Sequence, residues 1–82
     1  MLEHLAISES GFLFDARTGH TYTLSRTGVF LVRALVSGAS TSELPGRLAA
    51  DYDVEPPIAA RDVEQFLMRM RDLGLLDTED EP

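Results

Sequence analysis

The sequence predicts an α+β fold: a three-stranded antiparallel sheet followed by three helices. Three observations predict it. Short runs of aromatic and β-branched residues, separated by turn residues, fill the first third of the chain. From Arg26 onward, apolar residues recur at the three- and four-residue spacing of amphipathic helices. Glycines at 38 and 74 fall where such helices should stop.

The first strand is expected over Leu2 to Ser8, where Leu5 and Ile7 alternate with His4, Ala6 and Ser8. Ser10-Gly11 turns the chain into a second strand, Phe12-Leu13-Phe14. Asp15 to Gly19 supplies the next turn. There Asp15 can bond its own backbone and Gly19 can take positive φ. His20-Thr21-Tyr22-Thr23-Leu24 forms the third strand, and consecutive strands pair in a meander. Tyr22 and Leu24 share one face; Thr21 and Thr23 point the other way.

Ser25 caps the first helix, expected from about Arg26 to Ser37 with Leu31, Val32 and Leu35 on its buried stripe. Gly28 costs stability early in that helix, and close approach of another backbone is the expected compensation. The second helix begins near Thr41, capped by Ser40 or Thr41, and buries Leu44 and Leu48 with Tyr52 one turn on. Pro45 is tolerable in its first turn, yet Pro45-Gly46 makes it the weakest of the three. Asp53 to Pro57 reads as a connector broken by Pro56-Pro57. The third helix then runs from about Ala59 to Leu73, with Val63, Phe66, Leu67, Met70 and Leu73 facing the core, and Leu75-Leu76 tucks back. Residues 1–77 read as one domain, and 78–82 as a disordered acidic tail.

Composition removes several classes of function. The chain has 82 residues, with 14 acidic side chains against seven arginines and no lysine, a net charge of −7. That balance repels nucleic acid phosphates. Zero cysteines exclude disulfides, thiolate zinc sites and a cysteine nucleophile. Two histidines, His4 and His20, make a poor metal set without cysteine, so neither metal nor cofactor is expected. No apolar run approaches the ~20 residues that span a bilayer, and Met1-Leu2-Glu3-His4 lacks the start of a signal peptide. The expected location is the cytoplasm. Asp15, His20 and Ser25 can be written as a triad, but Ser25 is needed as a helix cap and no glycine-rich elbow surrounds it.

In order along the chain stand Asp15, Thr18-Gly19, Tyr22, Leu24-Ser25, Thr27-Gly28, Leu35, Gly38, Thr41, Leu48, Tyr52, Val54, Asp62-Val63, Leu67 and Gly74-Leu75-Leu76. This series, over about residues 5 to 77, resembles the PqqD-like family of peptide-binding modules, also called RiPP recognition elements. It departs from the family at Ser25, where Asn is commoner, and at Pro45-Gly46. The resemblance implies a truncated winged-helix arrangement without catalysis of its own. Such modules hold the leader of a ribosomally made precursor peptide, in RiPP or PQQ-type biosynthesis. They present it to a modifying enzyme, often a radical-SAM enzyme, or to a leader peptidase. The leader adds as a strand to the third strand and lies against the third helix.

Carried onto this chain, the resemblance implies that the leader pairs with the backbone of His20, Thr21, Tyr22, Thr23 and Leu24, its side chains dropping toward Leu67, Met68 and Arg71. Strand N–H groups alternate in direction, so only one of Thr21 and Thr23 is expected to donate to an added strand. Met68 lies off the core stripe. It reads equally as a single exposed methionine and as a flexible contact for a variable peptide. Arg61, Arg69 and Arg71 are balanced by Asp62, Glu64 and Asp72, which reads as a solvated face. An open strand edge can also pair with a second copy of the chain.

The runner-up is a winged-helix DNA-binding transcriptional regulator, which shares this outline. A recognition helix should offer Arg or Lys to phosphates and bases, and the second helix has only Arg47 beside Glu43 and Asp51. An enzyme would need an acid, base and nucleophile that this chain does not gather.

Overall fold

The computed structural model describes residues 4–76. They form an α+β chain of three antiparallel strands, then three helices. Two compact units divide it, residues 1–38 and residues 39–82. The acidic tail expected after residue 77 lies outside the described residues.

The first unit holds β1 (Leu5–Ile7), β2 (Phe12–Asp15), β3 (Thr21–Thr23) and α1 (Arg26–Val36). The strands stand in the order β1-β2-β3. Leu5 pairs with Asp15 and Ile7 with Leu13; across the other ladder Leu13 pairs with Tyr22 and Phe14 with Thr21. This register puts Leu5, Ile7, Leu13, Asp15 and Tyr22 on one face, where Leu5, Leu13 and Asp15 are buried. The opposite face carries Ala6, Phe12, Phe14, Thr21 and Thr23, all exposed. The first strand is shorter than Leu2 to Ser8, as far as the described residues show it.

Tight turns close the meander. The Arg17 N–H donates to Asp15 Oδ1 at 2.9 Å, and the Gly19 N–H donates to the Asp15 carbonyl at 2.7 Å. Gly19 takes φ +80° there, a value L side chains rarely adopt. Ser25 caps α1 by accepting from the Gly28 N–H at 3.1 Å. Leu31 and Val32 are buried, but Leu35 is only half-buried. What crowds Gly28 is the Ser25 hydroxyl and the Leu24 side chain, not another backbone. The close backbone approach is instead at Gly11, where an added Cβ would stand 3.3 Å from the Leu24 carbonyl.

The second unit holds a 3-10 turn (Thr41–Glu43), α2 (Leu44–Tyr52) and α3 (Pro56–Asp72). The Ser40 N–H donates to Glu43 Oε1 at 2.8 Å, half of a capping box. The bonds from the Ser40 backbone and hydroxyl, with Arg47 nearby, hold the Glu43 carboxyl below its ordinary range against the opposing effect of burial. Pro45 falls in the first turn of α2, where its missing N–H has no intrahelical partner to lose.

The same reasoning corrects the third helix. Pro56 and Pro57 do not break a connector; they open α3, which begins three residues before Ala59. Proline suits the first helical positions because its φ is preset and its absent N–H would be an orphan anyway. Asp53, in left-handed conformation at φ 53°, makes the bend between α2 and α3. Helix α3 buries Ala59, Val63, Leu67 and Met70. Phe66 and Leu73, expected in the core, are half-buried and exposed. At ~100° per residue they lie about 60° and 80° around the helix from Val63, at the margin of the stripe. A Schellman motif ends α3, with the Leu75 N–H donating to the Met70 carbonyl and the Gly74 N–H to that of Arg71, both at 2.9 Å. Leu75 and Leu76 are buried behind it.

Candidate functional site

The third strand is a sheet edge, because its one strand neighbour is β2. The direction of its backbone groups follows from the ladder. The Leu24 N–H donates to the Gly11 carbonyl and the Asp15 N–H to the His20 carbonyl, both at 2.9 Å. Pairs 11–24 and 15–20 are therefore hydrogen-bonded, and alternation makes 13–22 the third such pair. Tyr22 spends its N–H and C=O on Leu13. Thr21 and Thr23, opposite Phe14 and Phe12, belong to the non-bonded pairs and turn N–H and C=O toward the open side. This corrects the expectation that only one of the two threonines would donate outward. Residues two apart point the same way, so both do.

His20, Thr21 and Thr23 are exposed, while Tyr22 and Leu24 are half-buried. The His20 and Tyr22 rings meet edge to face with centroids 6.3 Å apart, and His20 Nδ1 stands 3.5 Å from the Tyr22 hydroxyl. Within α3, Leu67 is a core residue at 8% exposure, Arg71 is half-buried, and Met68 stands open at 54%. The five strand residues are thus contiguous along one edge. Of the three helix residues, Met68 presents the most surface.

The groups of the paper triad are engaged elsewhere. Ser25 caps α1, and Asp15 is buried with its carboxylate on the Arg17 N–H and 3.6 Å from Arg17 Nε. Burial pushes the Asp15 carboxyl up, but that N–H, the Arg17 guanidinium and the nearby His4 outweigh it and hold the group below its ordinary value. Among the described residues no three of His, Cys, Asp and Glu gather as a metal set. No described helix is long and apolar enough to cross a membrane. In α2, Arg47 Nη2 lies 3.5 Å from Glu43, so the one cation of that helix has an acidic neighbour.

Sequence reasoning assigned no role to Phe12 and Phe14, which stand 48% and 42% exposed on the outer sheet face. The signal was available. With Leu13 and Asp15 turned inward, the two aromatics between and beside them must turn outward.

The chain is similar to known proteins over most of its length. The family described as Coenzyme PQQ synthesis protein D (PqqD) matches residues 11–76. A solved structure described as "Lasso peptide synthetase B1 complexed with the leader peptide" superposes with a TM-score of 0.70 at 28% identity, covering 85% of this chain and 84% of that one. No curated protein matches. The PqqD match takes in β2, β3 and all three helices, and the chain belongs to the PqqD family.

Proposed function

We propose that this protein is a non-catalytic adaptor that holds the leader of a ribosomally made precursor peptide and presents it to a biosynthetic enzyme. The observation that carries the proposal is the β3 edge, where Thr21 and Thr23 direct two N–H and two C=O groups outward. An extended peptide satisfies those four groups by adding as a strand; affinity comes from main-chain bonds and selectivity from side chains. Membership of the PqqD family supports this reading. So does the similar lasso peptide synthetase B1, whose structure holds a leader peptide. The partner enzyme is of the class that modifies the core peptide or cleaves the leader, a radical-SAM enzyme or a leader peptidase. Met68 and Arg71 are proposed as further peptide contacts, with Leu67 beneath them in the helical core.

The test is calorimetric titration of synthetic leader peptides, taken from precursors encoded beside the gene, against parent and variants. Thr21→Ala and Thr23→Ala should bind within about twofold of the parent, because the bonds are main-chain. Thr21→Pro and Thr23→Pro each remove one outward donor and should weaken binding at least tenfold, at ~1.4 kcal/mol per decade. Each variant is first checked for folding by circular dichroism. As a second route that leaves the protein untouched, peptides N-methylated at single positions should lose affinity at alternate residues only. Equal binding by both folded proline variants, or no alternation in the N-methyl series, would show that the leader does not add at β3.

A further inference from the structure

In the second unit, Pro45, Gly46, Ala49, Ala50, Val54 and Pro56 line an open groove of about 480 Å³. None of the six carries a side-chain hydrogen-bonding group. Specific small-molecule sites set a few polar groups among apolar ones to fix orientation. This groove offers no polar side chain for that purpose, which suits aliphatic side chains of another polypeptide better than a metabolite.

Charge selects which polypeptide. Among the described residues of the second unit, 39–76, seven acidic side chains stand against four arginines, whereas residues 1–38 carry three of each sign. Asp53 and Glu55, both exposed, bracket Val54 on the segment that supplies one wall of the groove. Arg47, the nearest arginine in sequence, pairs with Glu43. A partner approaching here meets an apolar floor and an acidic rim.

Gly46 adds an independent observation. Glycine is a poorer helix former than alanine, so α2 does not gain from it. Nothing in the fold requires it: its φ is not positive, and a Cβ built there meets no atom within 4 Å. Gly46 is one of the residues that line the groove, and a side chain added there enters open space.

We infer that the groove lined by Pro45, Gly46, Ala49, Ala50, Val54 and Pro56, rimmed by Asp53 and Glu55, docks a basic apolar segment of a partner protein: aliphatic residues flanked by arginine or lysine. The groove shares no residue with β3, and the inference does not depend on strand addition there.

Two fluorescein-labelled amphipathic peptides serve as probes, one with leucines flanked by arginines, the other with glutamate at each arginine. Anisotropy titrations are run at about 20 mM and about 300 mM salt, which brackets strong and weak screening. The arginine probe should bind the parent at least tenfold more tightly than the glutamate probe, and several-fold more weakly at high salt. Asp53→Asn with Glu55→Gln keeps the backbone preferences, since asparagine tolerates the left-handed conformation of residue 53. That double variant should lose several-fold in affinity. Gly46→Leu fills the groove without a clash at Cβ, should fold at least as stably as the parent, and should lose tenfold or more. Arginine-probe binding unchanged by a folded Gly46→Leu would reduce the effect to general attraction by the −7 charge and overturn the groove. So would equal binding of both probes. Sedimentation of the parent covers the remaining occupant: self-association abolished by Gly46→Leu would assign the groove to a second copy of the chain.

Discussion

Both units of this protein bury aliphatic side chains, but they differ in charge. Residues 1–38 are neutral in sum and contain an open strand edge; residues 39–82 carry the entire net −7. The contrast follows from what each surface offers. Strand addition uses backbone N–H and C=O groups, which every residue possesses, so the edge needs no charged side chains to bind. In the second unit the amides of the helix interiors are bonded within α2 and α3, so a partner there meets mainly side chains. Partners there are told apart by side chains, among which seven exposed carboxylates outnumber four arginines over residues 39–76.

The comparison can be broken first at the two cores. Leu13 is fully buried in the first unit and Leu48 is 1% exposed in the second. Leu13→Ala and Leu48→Ala should each cost about 2–5 kcal/mol. Phe66→Ala, at a half-buried position, should cost less than either despite the larger side chain. Urea denaturation of the three variants checks the ranking. A Phe66→Ala loss larger than that of Leu48→Ala would place the core face of α3 where the periodicity alone put it.

Glycines sharpen the comparison at a smaller scale. Gly19→Ala in the strand turn should destabilise by about 1–2 kcal/mol, since φ +80° is costly for a Cβ-bearing residue. Gly46→Ala in α2 should stabilise by up to about 1 kcal/mol, because helical φ and open space leave only the propensity gain. Thermal melts of the pair should shift in opposite directions. Two shifts of the same sign would remove the argument that Gly46 is retained for reasons outside the fold.

The gentlest probe is acid. Asp15 in the first unit and Glu43 in the second both have carboxyls held below their ordinary values of 3.8 and 4.5. A carboxylate favoured in the folded state stabilises above its unfolded pKa, and that contribution is lost as pH falls through the lower folded value. The stability gap between parent and Asp15→Asn should therefore be full at neutral pH. It should shrink as pH drops below about 4, the ordinary range of an aspartate. Denaturant midpoints at pH 7, 4.5 and 3 read it directly. A gap independent of pH would mean that Asp15 acts through its shape alone.

Much of this was legible in the chain because local rules act on local sequence. The cap at Ser25, the turn at Asp15 to Gly19, the helix stops at Gly38 and Gly74 and the strand order each depend on a few neighbouring residues. Family resemblance extended that reading to a function and to His20–Leu24 as the expected binding edge. Proline at 56 and 57 misled, since the same residue both breaks helices and opens them. Only its position relative to the first turn separates the two roles.

What the sequence by itself determined is the number, order and type of elements, and which residues could pair or cap. Tertiary structure decided the rest. The β2–β3 register determined that Thr21 and Thr23 both face the open side, because hydrogen-bonded and non-bonded pairs alternate only once the partner residues are fixed. The same register exposed Phe12 and Phe14 and buried Asp15. Packing of α2 with α3 set which side of α3 is covered, leaving Phe66 at its margin and Met68 outside. The groove over Gly46 exists only where residues 54 and 56 fold back beside α2. A 3.6-residue period names a helical stripe to within a turn's width, but what covers that stripe is a property of neighbours distant in sequence.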